Sequence, residues 1–188
     1  MSNEEKAALR KRLRGLRPDG GTRRQESALI CRLLQDWLVY REAACLAAYI
    51  PMAHEADVRT LLRQALAEGK RLLLPRIIGG EMRFYQVTEM ENLRPGAFGI
   101  PEPDENALAA SLREAELILT PLEAVDPMGR RLGKGGGFYD RALCGIEGFA
   151  MGVALNYQVV DRVPASDWDI SLDGWADPGG IHILTKAR

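Results

Sequence analysis

The sequence predicts a single-domain α/β protein, a three-layer α/β/α sandwich around a mostly parallel sheet. Residues 44–50 and 71–74 are short apolar runs, and each is followed by a proline, which is typical of buried strands. Residues 58–68, between these runs, carry a helical pattern that ends at Gly69. A strand, a helix and a strand in this order predict a βαβ unit, whose two strands are parallel. A length of 188 residues is typical of one domain.

Two helices are predicted ahead of the first strand. Residues 3–16 repeat leucines at spacings of four and three and carry basic residues on the opposite face. Residues 18–21 contain a proline and two glycines, which end this helix, and a second helix is predicted over 22–38. The leucines expected to face the core are Leu9, Leu13, Leu16, Leu29, Leu33 and Leu34.

The second half of the chain continues the alternation of strands and helices, without an internal repeat. Its proline- and glycine-rich stretch, residues 91–106, is predicted to be a loop. The remaining predicted elements are strands over 82–87, 117–120 and 149–155 and a helix over 138–143.

The carboxyl ends of the predicted strands are where a ligand is expected. In sheets of this kind, ligands bind in the crevice outside those ends. The loops that follow Ile50, Thr120 and Leu155 are therefore expected to form the site.

Composition narrows the class of protein. Hydrophobic residues make up 46% of the chain, which fits a globular protein and not a disordered one. The net charge of −1 does not suggest a nucleic-acid partner, although residues 1–24 hold eight Lys and Arg against three acids. The charged N-terminus is unlike a signal peptide, and no apolar run approaches the roughly 18 residues of a membrane span. The odd set of cysteines, Cys31, Cys45 and Cys144, lacks metal spacing and indicates thiols in a reducing compartment, so a monomeric cytoplasmic protein is expected.

A glycine-rich stretch carries the clearest functional signal. Residues 129–141 are GRRLGKGGGFYDR, and four of the five positions in 133–137, here called the glycine segment, are glycine. Glycines allow successive N–H groups to converge on an anion, and Lys134 adds a positive charge for a phosphate oxygen. A helix that begins at Phe138 adds its N-terminal dipole to this attraction. Asp140 is of the type that holds Mg²⁺ beside phosphate oxygens, so the stretch predicts a site for the phosphates of a nucleotide.

Two known phosphate motifs do not match this stretch. In a Walker A loop the lysine is followed by Ser or Thr, whereas Lys134 is followed by Gly135. A dinucleotide fingerprint needs a glycine where Phe138 stands. The plainer alternative is a flexible turn in which Asp140 serves the helix start electrostatically. The cations Arg131 and Lys134 favour the phosphate site over that turn.

Five further polar residues are less clear from the sequence. The spacing of Lys6 and Arg10 puts them on one helix face and by itself favours a solvated basic face over phosphate contacts. Arg17 is expected to be solvated. Glu55 follows a predicted strand, where it either accepts hydrogen bonds from an amino-bearing heterocycle or is an exposed loop acid or helix cap. Asp169 is by default a turn or cap residue, and alternatively a second metal ligand.

Several segments, in order along the chain, resemble the 5-formyltetrahydrofolate cyclo-ligase family, also called the 5,10-methenyltetrahydrofolate synthetases. Besides GRRLGKGGGFYDR, the start Lys6-Ala-Ala-Leu-Arg10 is similar to the family's N-terminal Lys-x-x-x-Arg. Residues 49–57 resemble its substrate loop, which carries a glutamate. FGIPEP (98–103) and VPASDWD (163–169) are similar to its aromatic-x-Ile-Pro-x-Pro segment and its late aspartate-bearing segment. The resemblance covers most of the chain.

The resemblance implies an activity. Members of this family use ATP and Mg²⁺ to convert 5-formyltetrahydrofolate, with or without a polyglutamate tail, into 5,10-methenyltetrahydrofolate, releasing ADP and phosphate. The γ-phosphoryl group is transferred to the formyl oxygen, N10 attacks the formyl carbon, and phosphate leaves as the ring closes. Phosphoryl transfer requires mainly positioning and charge stabilisation, which fits a glycine segment, a lysine and Mg²⁺.

The resemblance also implies roles for individual residues. The residues expected to contact ATP are Lys6, Arg10, Arg131, Leu132, Gly133, Lys134, Gly135, Gly136, Gly137, Phe138 and Tyr139. Those expected to contact the folate are Ile50, Met52, Glu55, Phe98 and Tyr139. Asp140 and Asp169 are the expected metal ligands, and Lys134 and Tyr139 are the expected catalytic residues.

Three features depart from the family pattern. Phe138 stands where the family often has tyrosine, and Glu123 stands where a small or apolar residue is expected. After Leu172 the family shows an apolar run, whereas residues 173–178 are DGWADP. The last strand is therefore expected to be lost or rearranged, with residues 178–188 as an appended tail of a single domain over 1–188.

Two alternatives stay open from the sequence. Glu123 and the altered C-terminal sequence favour a protein of the same fold that binds nucleotide or folate without catalysis. The basic helix within residues 1–20 favours a module that binds RNA, but no aromatic platform for stacking bases accompanies it.

Overall fold

The chain forms five α-helices and twelve strands within the residues that the structure describes. The structure is a computed structural model, and it describes residues 3–96, 99–166 and 168–185. Over these ranges, none of the helices combines the length and the apolar character that a membrane crossing requires. The helices are α1 (Asn3–Arg14), α2 (Gly20–Asp36), α3 (Leu38–Glu42), α4 (Arg59–Ala67) and α5 (Phe138–Leu143). The strands are β1 (Cys45–Ala47), β2 (Arg71–Ile78), β3 (Glu81–Val87), β4 (Arg94–Pro95), β5 (Pro101–Glu102), β6 (Ala109–Ala110), β7 (Leu117–Thr120), β8 (Ala124–Val125), β9 (Arg131–Leu132), β10 (Phe149–Val153), β11 (Gly174–Asp177) and β12 (Gly180–Ile183).

Eight of these strands form the central sheet, in the order β12-β11-β10-β7-β1-β2-β3-β6. The neighbours from β11 through β10, β7 and β1 to β2 pair in parallel. Antiparallel pairs extend the sheet at both edges, where β12 joins β11, and β3 and β6 follow β2. The predicted α/β class with a mostly parallel central sheet is confirmed.

Helices cover both faces of the sheet, because its inner strands are apolar on both sides. Adjacent residues of β2 belong to opposite clusters, Leu72 to one and Leu73 to the other, as the strand period of two requires. On the first face, α2 and α4 pack through Ile30 and Leu62. On the second face, α5 packs through Leu143. The sheet thus lies between two outer layers.

The two N-terminal helices differ in detail from the prediction. α1 ends at Arg14, so Leu16 lies outside it and is 56% exposed, and its prediction as a core residue is wrong. α2 begins two residues early because the Asp19 carboxylate accepts hydrogen bonds from the N–H groups of its first turn. It ends at Asp36 because Trp37 is extended, at φ −74° and ψ 131°, and α3 follows as a separate helix.

α2 also buries a different face from the one predicted. Leu34 is buried as expected, whereas Leu29 is 41% exposed and Leu33 is half-buried. Position 29 lies about 100° around the helix from position 30, so the two cannot share the centre of one narrow face. The buried residues of α2 follow helical spacing, and they are Ser27, Ile30, Cys31 and Leu34.

β2 continues through Pro75, where the prediction ended it. Beyond Leu73, the paired partner of β2 is β3. The Leu73 carbonyl accepts a hydrogen bond from Ala48 N at 3.0 Å, so Leu73 faces β1, and strand alternation turns position 75 to the same side. The missing N–H of Pro75 therefore costs no ladder hydrogen bond there.

The expectation that the last strand is lost is wrong. β11 pairs in parallel with β10, and all four of its residues are buried. The Asp177 carboxylate within it accepts hydrogen bonds from Trp175 Nε1 (3.0 Å) and Gly179 N (2.7 Å) and lies 2.9 Å from His182 Nε2. Because the charge is matched locally, the strand accommodates it. Residues 180–183, within the predicted tail, form β12 and extend the sheet.

Gly148, immediately before β10, provides a test of the sheet packing. A Cβ at this position would lie 2.1 Å from the Ala115 carbonyl oxygen, so Gly148→Ala forces one of two backbone segments to move. We expect the free energy of unfolding to fall by about 1–3 kcal/mol, as for other overpacked sites, in urea denaturation. Gly15→Ala is the matched control, since its Cβ would meet the Arg12 carbonyl at an ordinary 3.5 Å. Equal stability of the two variants would contradict this packing.

Candidate functional site

A cleft of about 1000 Å³ lies at the carboxyl ends of the parallel strands. The loop after β1 contributes Met52 and Glu55 to its wall, and the loop after β7 contributes Pro121 and Leu122. Every predicted site residue that the structure describes lines this cleft, and the predicted contact Phe98 lies outside the described residues. These lining residues are Lys6, Arg10, Ile50, Met52, Glu55, Arg131, Leu132, Gly133, Lys134, Gly135, Gly136, Gly137, Phe138, Tyr139, Asp140 and Asp169.

The loop after Leu155 runs to the start of β11 at Gly174, and it contributes Trp168, Asp169 and Ile170 to the cleft, as predicted. Its first residues support the other two loops. Tyr157 donates a hydrogen bond from its hydroxyl to the His54 carbonyl (3.1 Å), and Gln158 Nε2 donates to the Leu122 carbonyl (2.5 Å). The third loop thus positions the walls of the cleft from behind.

The glycine segment needs its glycines for two physical reasons. Gly135 and Gly137 have φ values of +106° and +63°, a region that residues with a Cβ rarely adopt. A Cβ on Gly136 would lie 2.7 Å from the Phe138 ring. The segment is held against α1, because Arg10 Nε donates a hydrogen bond to the Gly133 carbonyl at 2.8 Å.

A buried ion pair closes the base of the glycine segment. Arg131, placed by β9, bonds through Nη2 to Asp140 Oδ1 of α5 at 2.9 Å, and its side chain is almost completely buried. The Arg131 guanidinium also lies 5.6 Å from the centre of the Tyr139 ring. Its Nε has no hydrogen-bond partner among the described residues. Buried polar groups are normally paired, so this N–H is an exception within the site.

Tyr139 presents a second polar group without a partner. Its hydroxyl is buried and makes no hydrogen bond to any described residue. Burial raises the pKa of this hydroxyl, and the nearby Glu55 carboxylate raises it further, while Arg131 opposes them. The hydroxyl is therefore protonated at neutral pH and able to donate a hydrogen bond.

Lys134 joins the glycine segment to the loop after β1. Its Nζ lies 2.7 Å from Glu55 Oε1 and also contacts Met52 Sδ. Glu55 is 3% exposed, and its other oxygen accepts a hydrogen bond from Met52 N at 2.8 Å. Both plainer interpretations of Glu55 are therefore wrong, because it is not an exposed acid, and the N-cap of α4 is Val58, with no side-chain cap hydrogen bond.

Lys6 and Arg10 are not the solvated basic face that their spacing favoured. Lys6 Nζ pairs with Asp169 Oδ2 at 2.5 Å and donates to Ser166 Oγ at 3.3 Å. Asp169 also behaves as the turn residue expected by default, because Oδ2 accepts from Ser166 N at 2.7 Å. Burial is the main effect on Arg10, and it lowers the pKa of that guanidinium. Both side chains therefore point from α1 into the cleft.

Glu123, the departure from the family pattern, is a buried and paired acid. It is 6% exposed and lies 3.2 Å from His54 Nε2 and 3.7 Å from Arg17 Nη2. The hydrogen bond from His54 lowers the pKa of the Glu123 carboxyl, against the opposing effect of burial. Arg17 is exposed, as predicted, and its contact with Glu123 also links the residues after α1 to the loop after β7.

The two predicted metal ligands fit Mg²⁺ by the chemistry of their donors. Asp140 and Asp169 line the same cleft, and each is bonded to a cation, Arg131 or Lys6. Within the described residues, no group of three or more His, Cys, Asp or Glu side chains is arranged to hold a metal by itself. Mg²⁺ is usually held by one or two carboxylates together with substrate phosphates and water, so two carboxylates beside a phosphate site are sufficient.

The sequence analysis missed the apolar end of the cleft and part of its rim. The extension of β2 past Pro75 brings apolar side chains into the wall of the cleft. The sequence identified IPEP (100–103) as part of a family segment but did not place it at the cleft. The missed lining residues are Asn3, Tyr49, Pro75, Ile77, Met82, Ile100, Pro101, Glu102, Pro121, Leu122, Arg141, Cys144, Trp168 and Ile170. The apolar pair Ile77-Ile78 continues the strand pattern beyond Pro75, and this signal could have placed Pro75 and Ile77 in the wall.

Comparison with known proteins gives one consistent family. The model of the 5-formyltetrahydrofolate cyclo-ligase family matches residues 2–176. The chain is 31% identical over 146 residues to the 5-formyltetrahydrofolate cyclo-ligase of Escherichia coli K12, covering 74% of this chain and 80% of that protein. It is 34% identical to the enzyme of that name from Mycolicibacterium smegmatis, covering 75% and 73%.

Solved structures agree. The 5,10-methenyltetrahydrofolate synthetase of Aquifex aeolicus superposes with a TM-score of 0.88 at 32% identity, covering 97% of this chain and 94% of that one. The synthetase of Mycoplasma pneumoniae, at 22% identity and a TM-score of 0.74, covers 92% and 98% and shares the fold. The C-terminal strand β11 therefore lies within a fold that extends over nearly the whole chain.

The pairing of Glu123 leads to a pH-dependent test. Because the folded carboxyl has a lowered pKa, its stabilisation is present above the ordinary pKa of glutamate and is lost as the pH falls through the lowered value. We expect Glu123→Gln to lower the free energy of urea unfolding by about 1–2 kcal/mol at neutral pH. The difference from the wild type should shrink below about pH 4. Glu91→Gln, at an exposed acid, is the control, and a deficit of Glu123→Gln that does not change with pH would contradict the role of the charge.

Proposed function

This chain belongs to the 5-formyltetrahydrofolate cyclo-ligase family, and on that basis we propose that it converts 5-formyltetrahydrofolate into 5,10-methenyltetrahydrofolate with ATP and Mg²⁺. ADP and phosphate are the other products. The observation that carries the proposal is the Lys134–Glu55 pair, 2.7 Å long, which joins the glycine segment to a buried carboxylate within one cleft. A phosphate donor and a nitrogen heterocycle held on either side of this pair meet at Lys134.

The phosphate side of the cleft attracts anions. Main-chain N–H groups of the glycine segment, where positive φ values turn the backbone, form the type of concavity that binds phosphate. Lys6, Arg10 and Arg131 surround it as cations that are partly or fully removed from water. Electrostatic attraction is stronger in such a site than on an open surface. These features support binding of the ATP triphosphate by this wall.

The folate side combines a buried carboxylate with apolar walls. The pterin ring carries amino and N–H donors, and Glu55 has a buried carboxylate that can accept from them. Ile50 and Met52 of the same loop give apolar contact area. The unpaired hydroxyl of Tyr139, beside Glu55, donates to an oxygen or ring nitrogen of the bound molecule.

In the proposed reaction, the γ-phosphoryl group of ATP is transferred to the formyl oxygen of the folate, and ADP is released. This converts a poor leaving group into a phosphate ester. N10 of the folate then attacks the formyl carbon, the carbon–oxygen bond breaks, and phosphate leaves with the closing of the ring, taking up the proton that N10 loses. During the transfer, negative charge moves between the leaving oxygen of ADP and the formyl oxygen. Lys134 stabilises this charge, because its ammonium reaches both sides of the cleft. No protein nucleophile is needed.

Asp140 and Asp169 are the residues proposed to hold Mg²⁺. The ion supplies neutralisation of the phosphate charges during transfer. Arg131 and Lys6 orient these carboxylates from the protein side, through contacts of 2.9 and 2.5 Å.

Reduced thiols at Cys31, Cys45 and Cys144 support a reducing compartment such as the cytoplasm.

The alternative of a binding protein without catalysis loses its two supporting observations. Glu123 is paired with His54 and Arg17 and does not distort the loop after β7, and the C-terminal strand is present as β11. ADP release in the presence and absence of 5-formyltetrahydrofolate, together with the absorbance of the methenyl product, tests the proposal directly. Absence of both products from the folded wild-type chain would overturn it.

Lys134→Ala tests the role given to the lysine. We expect turnover to fall by about 100-fold, the loss typical when one charge-stabilising donor is removed. The folate dissociation constant should change much less, since Glu55 keeps its hydrogen bond from Met52 N. Turnover is measured from the methenyl absorbance and affinity by equilibrium binding. Lys11→Ala, at an exposed lysine of α1, is the control, and near-native turnover of Lys134→Ala would remove Lys134 from the chemistry.

Substitution of the proposed metal ligands should change the metal requirement. We expect Asp140→Asn and Asp169→Asn each to raise the Mg²⁺ concentration for half-maximal ADP release, by about tenfold or more, because each removes a charged ligand. Mg²⁺ titration at saturating ATP and folate measures this. Asp161→Asn, at an exposed aspartate that does not line the cleft, serves as the control. An unchanged Mg²⁺ requirement in both variants would exclude these carboxylates as the ligands.

A further inference from the structure

Trp168 is a large aromatic side chain left in solvent at the wall of the cleft. It is 74% exposed, and it is among the residues that line the cleft. Tryptophan is normally well buried, because its indole offers more apolar area than almost any other side chain. The two other tryptophans follow this rule, since Trp175 is buried and Trp37 is half-buried against Phe149. Packing within the protein therefore does not account for the position of Trp168.

Hydrogen bonds join two described residues near Trp168, Ser166 and Asp169. Asp169 N donates to the Ser166 carbonyl at 3.0 Å, and Ser166 N donates to Asp169 Oδ2 at 2.7 Å. Lys6 Nζ bonds to both residues, at Ser166 Oγ and Asp169 Oδ2, and so ties this turn to α1. These contacts anchor Ser166 and Asp169, while the indole of Trp168 remains uncovered. Anchored neighbours reduce the conformational freedom that a contact surface loses when a ligand arrives.

The order of residues along α1 gives Trp168 a place relative to the phosphates. Arg10 contacts Gly133 of the glycine segment, and Lys6, four residues earlier, contacts Asp169 beside Trp168. Four residues of an α-helix cover about 6 Å. The wall of the cleft therefore runs from Lys134 and the glycine segment, past Arg10, to Lys6 and Trp168. Glu55 lies at the opposite end of this line, against Lys134.

We propose that Trp168 stacks on the adenine ring of ATP and contributes to selection of the nucleotide. This inference rests on the proposed function, which places the terminal phosphate near Lys134. The remaining phosphates then follow Arg10 and Lys6, and the nucleoside reaches the exposed indole. A purine has a flat π face, and stacking on an aromatic side chain is a common means of holding a base. The pterin ring is expected at the other end of the cleft, beside Glu55.

Kinetics of two variants test the inference. Trp168→Leu keeps an apolar side chain and removes the ring, and Trp168→Phe keeps a smaller ring. We expect KM for ATP to rise about tenfold in Trp168→Leu and by less in Trp168→Phe, because stacking contributes on this scale. The kcat and the KM for 5-formyltetrahydrofolate should stay within about twofold of the wild type. Leu108→Ala, at an exposed apolar residue that does not line the cleft, is the control.

Tryptophan fluorescence provides a measurement that does not need turnover. ATP with Mg²⁺ should quench the emission of the wild type, inorganic tripolyphosphate should not, and the quenching should be lost in Trp168→Phe. The emission of Trp37 and Trp175 remains as an internal reference. An unchanged KM for ATP in Trp168→Leu, or no quenching of the wild type by ATP, would overturn the inference. A raised KM for folate, with quenching by folate alone, would also overturn it and assign the indole to the pterin.

The two proposals fail in different ways. A wild-type chain that releases ADP with folate, combined with a Trp168→Leu variant of unchanged KM, leaves the proposed function intact and rejects only the stacking. A wild-type chain without ADP release rejects the proposed function. In that case the fluorescence titration with ATP still decides whether the indole contacts a nucleotide.

Discussion

A charge that leaves water needs a partner, and this constraint organises the carboxyl ends of the sheet. Within the described residues, several buried or half-buried charges in or beside the cleft meet an oppositely charged partner from another element of the chain. The strands bring their loops to one edge, but the pairings decide how those loops lie against each other and against α1. The pairings are Lys6 with Asp169, Glu55 with Lys134, Arg131 with Asp140, and Glu123 with His54 and Arg17.

These pairings also suit the proposed reaction. The cations are of the kind that bind phosphate, and the carboxylates are of the kind that bind Mg²⁺ or the amino groups of a heterocycle. A phosphate and a metal ion that enter together carry opposite charges, so in the proposed complex they add to the pairs already present without requiring those pairs to break. Little net charge is then buried or exposed when the ligands bind. The Nε of Arg131 and the hydroxyl of Tyr139 are buried and make no hydrogen bond among the described residues.

Local chemistry was predictable from the sequence, and long-range placement was not. The strand at 117–120, the helix at 138–143 and the glycine segment follow from apolar runs, prolines and glycines next to one another in the chain. The burial of Glu55 was left open, because its partner Lys134 lies 79 residues away in the sequence. β11 was missed because the charge of Asp177 hides an apolar strand, and that charge is matched by groups whose proximity depends on the β11–β12 hairpin.

The position of α1 has a practical consequence for work on the purified protein. Asn3, Lys6 and Arg10 all line the cleft, although they belong to the first described helix of the chain. A purification tag placed directly before Asn3 would start at the wall of the cleft, where its own side chains compete for the same space. β12, at the far edge of the sheet, contributes no described residue to the cleft. A fusion partner on the β12 side of the sheet would leave the opening of the cleft accessible to crystallographic soaking and to rapid mixing.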